Sequence, residues 1–170
     1  MNVAVFGASG GIGRAFVDLL AAHQQVAHVH AFSRSGEIQH PSPKVENHIF
    51  DLTSEASIEQ ATADLDGPFD LVLVATGILH NEAGMQPEKT WKTLNAENAH
   101  MSFALNALGP MLVAKYMLSK LPRDRKAVFS ALSARVGSIS DNHLGGWYSY
   151  RASKAALNQF LRSSAIELGR

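Results

Sequence analysis

Val3-Ala4-Val5-Phe6-Gly7-Ala8-Ser9-Gly10-Gly11-Ile12-Gly13-Arg14 decides the architecture of this chain. Four apolar residues of strand character run into a glycine-rich turn, which opens into an apolar helical pattern over residues 12–22. Gly7, Gly11 and Gly13 are spaced to let the backbone leave a strand sharply, approach a pyrophosphate and pack the next helix onto the sheet. The helix N-terminus then offers unpaired N–H groups to the phosphates. Gly7, Ser9, Gly11, Ile12 and Gly13 are therefore expected to cradle a dinucleotide.

Outward from this turn the chain alternates. Strand-like runs at 26–32, 48–50, 71–75 and 127–132 are separated by helical stretches at 54–65, about 97–121 and 148–168. That β-α-β order predicts an α/β fold, a doubly wound parallel sheet in three layers, Rossmann-like, formed as a single domain over 1–170. His40-Pro41-Ser42-Pro43, Asp66-Gly67-Pro68, Leu121-Pro122 and Gly145-Gly146 punctuate the loops, and none is long enough for a domain linker. Pro110 falls inside a helical stretch and predicts a kink or a boundary near Leu108-Gly109. The chain stops at Gly169-Arg170, where a further strand is expected, so the sheet is expected to be a compact variant or to lack its C-terminal strands.

The 170 residues are 46% hydrophobic and 18% charged, as expected for a globular domain. Fifteen basic and fifteen acidic residues cancel, which argues against a nucleic-acid partner. Cysteine is absent, excluding disulfides, thiolate zinc sites and thiol catalysis. With the first strand starting almost at Met1 and no apolar run of about 18 residues, we expect neither signal peptide nor membrane span, and a cytoplasmic location.

Two further features bear on chemistry. The second strand ends in Ser33-Arg34-Ser35, where an NAD site usually carries an acidic residue for the ribose 2′-hydroxyl. Arg34 suits a 2′-phosphate instead, so NADP is expected over NAD; the alternative is a solvated loop arginine. Asp51-Leu52, closing the third strand, is placed to meet the adenine, or Asp51 serves the cap of the next helix. Tyr150-Arg151-Ala152-Ser153-Lys154 then sets a phenol and an ammonium at i and i+4, on one helix face. A unit charge at ~4 Å in an effective dielectric of ~20 is worth about 4 kcal/mol, enough to bring a phenol from about 10 toward neutrality. Lys154 is expected to lower the pKa of Tyr150.

Together these residues resemble the short-chain dehydrogenase/reductase family. The resemblance also rests on Ala75-Thr76-Gly77 after the fourth strand, Asn106-Ala107-Leu108-Gly109-Pro110, and Ser133 after the fifth. Gly77-Ile78-Leu79-His80, Pro87-Glu88-Lys89 and Gly145–Arg151 are similar to its C-factor-like branch, some members of which are discussed as cell-contact signalling proteins. Family members usually show Asn-Ala-Gly where this chain has Ala75-Thr76-Gly77, and continue past the Tyr/Lys helix into segments not found here.

The resemblance implies hydride transfer between a nicotinamide and a small carbonyl or alcohol substrate. Tyr150 would be the general acid or base, Lys154 would also hold the nicotinamide ribose, Ser133 would bond the substrate oxygen, and Asn106 would hold a water linking Lys154 to solvent. Ala75, Thr76 and Gly77 would line the dinucleotide. Competitors remain: Tyr148 lacks a lysine at i+4, Ser138 lies 12 residues before Tyr150, and Asn106 is alternatively a polar residue satisfying the kink at Pro110. His28 and His30 share a strand face without a third ligand, so no metal is expected; His80 and His143 are substrate-mouth or solvated loop residues. The resemblance further implies a homodimer or homotetramer paired through the two long helices, unless Leu157, Phe160 and Leu161 face only the chain's own core. A second functional class is a nucleotide-binding signalling or regulatory protein with incidental turnover.

Overall fold

Five short segments, apolar except for the Val45-Glu46-Asn47-His48-Ile49 of β3, become strands of one parallel sheet in the order β3-β2-β1-β4-β5: β1 (Asn2–Phe6), β2 (His28–Ser33), β3 (Val45–Ile49), β4 (Leu71–Val74) and β5 (Val128–Ala131). The computed structural model describes residues 1–36 and 38–169. The sheet is Rossmann-like, as the alternation predicts. It reverses direction of growth between β1 and β4, the switch point at which such sheets bind ligands beyond their strand C-termini.

β1 is central, and Val3, Ala4, Val5 and Phe6 are all fully buried, which is why its sequence is continuously apolar rather than alternating. One face carries Val3, Val5, Val29 and Ala31 against Val17, Leu20 and Ala21 of α1 (Gly11–Ala22). The opposite face is aromatic: Phe6 stacks on Phe32 at 4.1 Å, Phe32 on His48 at 4.6 Å, and Phe50 meets both edge-on. α2 (Glu55–Ala63) starts at a Ser54 cap, whose hydroxyl accepts from the Ser57 N–H.

The remaining helices are α3 (Ala96–Phe103), α4 (Gly109–Met117) and α5 (Tyr148–Leu168). Between α3 and α4 lies a π-helical turn, Ala104–Leu108, in which the Gly109 N–H bonds the Ala104 carbonyl. The boundary expected near Leu108-Gly109 is there, but the helix is not broken. The wider turn absorbs Pro110, which has no N–H for an α-helical bond to Asn106. Ala96–Lys120 as a whole is long and apolar enough, by length and composition, to cross a membrane, unlike any run seen in the sequence; 44% of its most apolar window is buried within the fold.

The chain forms two compact units. The first comprises residues 1–76 and 112–132; the second comprises 77–111 and 133 onward.

Candidate active site

In the first unit the glycines earn their places sterically. Gly7 has φ of +86°, a left-handed conformation that costs other residues, and a Cβ there would stand 2.8 Å from Thr76 Cγ2. A Cβ on Gly13 would lie 2.1 Å from the Gly7 carbonyl oxygen, so no other residue lets α1 sit this close to the turn. A Cβ on Gly11 would meet nothing within 4 Å, and α1 begins at Gly10 without a side-chain cap. Its first N–H groups are therefore available to an anion. Ser9 and Ile12 are exposed beside them.

β4 ends against this turn: the Ala75 N–H donates to the Phe6 carbonyl at 2.8 Å. Thr76 Oγ1 is buried without a hydrogen-bond partner. Open space over an uncapped helix start, together with this orphaned hydroxyl at the switch point, fits the phosphates and adjoining ribose of a dinucleotide.

Arg34 is exposed in a tight turn closed by the Gly36 N–H donating to Ser33 Oγ at 3.0 Å. Asp51 lies in the turn before α2, whose N-cap is Ser54. Asp51 Oδ1 accepts from the Thr53 hydroxyl at 2.7 Å and the Thr53 N–H at 2.8 Å, just ahead of α2. These bonds hold its carboxyl below the ordinary value, with the Arg34 charge adding to them. Leu52 is buried, so only its backbone is offered to a ligand.

The second unit holds Gly77, Asn106, Ser133, Tyr150 and Lys154. Asn106 is fully buried and clamps the Ile78 peptide from both sides: Oδ1 accepts from its N–H at 2.7 Å and Nδ2 donates to its carbonyl at 2.8 Å. Nδ2 also reaches Ser102 and Ser153, whose hydroxyls meet at 3.1 Å, and Ser153 donates to the Tyr150 carbonyl at 2.8 Å. One buried network thus ties the π-helical turn, the segment after Gly77 and the Tyr150 turn of α5. The Asn106 side chain serves the tertiary fold around the π turn; this is broader than the kink alternative read from sequence.

Tyr150 and Lys154 share a face, with Lys154 Nζ 5.8 Å from the Tyr150 ring centroid. The expected effect on the phenol is not what this arrangement produces. Burial pushes the Tyr150 hydroxyl up and the Lys154 ammonium down. The physical reason is desolvation, which disfavours the charged form of each group: the phenolate of Tyr150 and the ammonium of Lys154. A Cβ on Gly77 would stand 3.3 Å from Lys154 Nζ and 3.2 Å from Asn106 Oδ1, so Gly77 packs closely against both side chains.

Ser133 lies two residues past the end of β5, after Leu132, and is exposed; its hydroxyl donates to Asn158 Oδ1 at 2.7 Å. Ser138 is engaged in its own loop, accepting from the Asp141 N–H at 3.2 Å.

Glu88 had no assigned role in the sequence. It is buried, and its carboxylate accepts from both the Ser149 N–H and the Ser149 hydroxyl, while its carbonyl accepts from the Trp147 N–H. A carboxylate therefore caps the positive end of the helix that carries Tyr150. The chain enters that helix through three consecutive left-handed residues, Gly145, Gly146 and Trp147.

The chain is similar in sequence and in fold to known proteins. C-signal of Myxococcus xanthus is 36% identical over 111 residues, covering 64% of this chain and 61% of its own length. Benzil reductase ((S)-benzoin forming) of Bacillus subtilis is 31% identical over 168 residues, covering 96% of this chain and 65% of the reductase. A crystal structure of a short-chain dehydrogenase/reductase from Burkholderia multivorans with bound NADP matches with a TM-score of 0.83 at 28% identity, over 98% of this chain and 72% of that one. The chain spans less than two thirds of the length of the curated relatives it matches, from 45% to 66%. The profile described as short chain dehydrogenase covers residues 1–170, and since it runs through the switch-point turn and the Tyr150 helix alike, the chain belongs to that family.

Proposed function

We propose that the chain is the dinucleotide-binding and catalytic part of an NADP-dependent oxidoreductase acting on a small carbonyl or alcohol. The observation that carries this is the half-buried Tyr150 with a buried lysine one turn away on the same face of α5. The NADP-bound neighbour from Burkholderia multivorans supports the cofactor.

In this reading the N–H groups at Gly11, Ile12 and Gly13 hold the pyrophosphate, Arg34 meets the 2′-phosphate, and Asp51 and Leu52 border the adenine. Ala75, Thr76 and Gly77 line the ribose and nicotinamide, with the Thr76 hydroxyl gaining the partner it lacks. The bound dinucleotide supplies or accepts the hydride. Tyr150 Oη gives its proton to the substrate oxygen during reduction, and its raised pKa keeps that proton in place at neutral pH. Lys154 holds the nicotinamide ribose and stabilises the phenolate left behind. Ser133 bonds the substrate oxygen by redirecting its proton from Asn158. The Asn106 carbonyl, denied its usual i+4 donor by Pro110, accepts the water that returns a proton through Lys154.

We also place the protein in the cytoplasm as a homodimer or homotetramer. Leu157 is buried, whereas Phe160 on α5 and Phe103 and Leu108 on the other long helix remain exposed, leaving apolar surface for a second copy.

The test is NADPH-dependent reduction of an aromatic diketone by the chain and by Tyr150→Phe. Turnover that falls by about 10²–10⁴ in the variant, with NADPH binding retained, is the expected result. A second reading, a nucleotide-binding signalling protein, is favoured by the similarity to C-signal. It prevails if the wild type binds NADPH, reduces no carbonyl, and keeps its biological output after Tyr150→Phe.

A further inference from the structure

The first unit holds an open cavity of about 600 Å³ lined by Asn2, His28, His30, Glu46, His48 and Asp64, among others. Asn2 and His28 are the first residues of β1 and β2 and His48 lies near the end of β3, so the cavity runs along the strands on the β2–β3 side of the sheet. The sequence left His28 and His30 without a third ligand. The register between β2 and β3 supplies two, by setting His30 opposite Glu46 and Phe32 opposite His48.

The donor atoms converge. His30 Nδ1 is 3.0 Å from His48 Nε2 and 3.6 Å from Glu46 Oε2, and His48 Nε2 is 3.7 Å from Glu46 Oε1. A tetrahedral centre with bonds of about 2.0–2.1 Å has ligand–ligand edges of about 3.3 Å; the two nitrogens stand near that spacing, each faces a different Glu46 oxygen, and one atom from each of the three residues fits within 4.8 Å of the others, so a small turn of the carboxylate completes the set. Both rings are fixed: His48 stacks on Phe32, and Phe69 meets His30 edge-on at 5.3 Å. Both imidazoles are largely buried, with 12% and 17% of the side chain exposed, whereas Glu46 is 65% exposed and able to swing inward. Asn2 also lines the cavity, and its Oδ1 is buried without a hydrogen-bond partner.

We propose that His30 Nδ1, His48 Nε2 and a Glu46 carboxylate oxygen bind a divalent transition metal of the zinc class, with the fourth position open to the cavity. Two imidazoles and one carboxylate make a donor set that suits such a metal and not calcium or magnesium. In the structure the two nitrogens share a proton as a hydrogen bond. Binding requires only that this proton move to the other nitrogen of the same ring, with no net loss from a neutral pair. The metal then clips β3, the outer strand of the sheet, to β2. The three ligands have no part in the proposed redox chemistry, so this site does not depend on that reading.

The experiment is calorimetric titration of Zn²⁺ into the chelator-stripped 170-residue chain, with thermal melts at each end of the titration. We expect one equivalent bound and a higher Tm in the loaded protein. Glu46→Gln and His48→Gln should each weaken binding at least about tenfold, the least that loss of a ligand costs when loss of its supporting shell already costs that much. His143→Gln, at an exposed loop position, should leave it unchanged. Absence of saturable binding to the wild type overturns the assignment. So does an affinity in Glu46→Gln within about twofold of wild type; that exposed, near-isosteric change leaves the fold intact even if His48→Gln disturbs the aromatic stack.

Discussion

Around Gly7 the chain is shaped by backbone meeting backbone, and around Tyr150 by polar side chains meeting one another. In the first unit a single added carbon at Gly13 would collide with a carbonyl 2.1 Å away. In the second, Asn106, Ser102, Ser153 and the Ile78 peptide satisfy each other in a closed set of buried hydrogen bonds. The first kind of constraint forbids nearly every residue but one. The second tolerates exchange only if all its members change together.

Substitutions probe the contrast in order of expected effect. Gly13→Ala should destabilise the chain by about 3 kcal/mol, the upper range for overpacking, and abolish NADPH binding in a fluorescence titration. Asn106→Ala leaves several buried donors and acceptors unpaired and should cost about 2–3 kcal/mol in urea unfolding. Its NADPH affinity should stay within about threefold of wild type; loss of binding would show that the two kinds of constraint are not separable. Arg34→Ala should weaken NADPH about tenfold, near 1.4 kcal/mol, and leave NADH unchanged.

The smallest effect is a pH dependence. Asp70 accepts the Asn2 N–H at 2.8 Å and the Arg125 guanidinium at 3.0 Å, which together hold its carboxyl below the ordinary range. A depressed folded value means the charged form favours the fold. That stability is complete above the unfolded pKa of roughly 3.9 and disappears as pH falls through the folded value. Asp70→Asn should therefore lower stability by less than about 1 kcal/mol at pH 7 and flatten the acid limb of a stability–pH curve. Equal losses at pH 7 and at pH 3 would contradict this.

Legibility in the sequence follows the same division. The glycine turn and the β-α alternation were readable because glycine spacing and apolar runs encode backbone geometry directly. The Tyr150/Lys154 pairing was readable because i and i+4 must share a face. The direction of the Tyr150 shift was not, since it depends on how deeply both groups are buried and where the ammonium points. The π turn was also hidden: Pro110 signalled a disturbance, but whether a helix bends, ends or widens depends on Asn106 finding Ile78, 28 residues away. Glu46 and His48 escaped notice because parallel register is set by a crossover, not by local spacing.

The π turn at Ala104–Leu108 also limits how this gene can change length. An extra residue in one turn shifts every later side chain by about 100° relative to an uninterrupted α-helix. Ser102 and Asn106 are buried in one frame, and Val113, Ala114 and Met117 in the next. A one-codon deletion in the turn would yield a smoother helix whose second half points its apolar stripe at water. Point changes along this helix are thus far easier to accommodate than any single insertion or deletion within it.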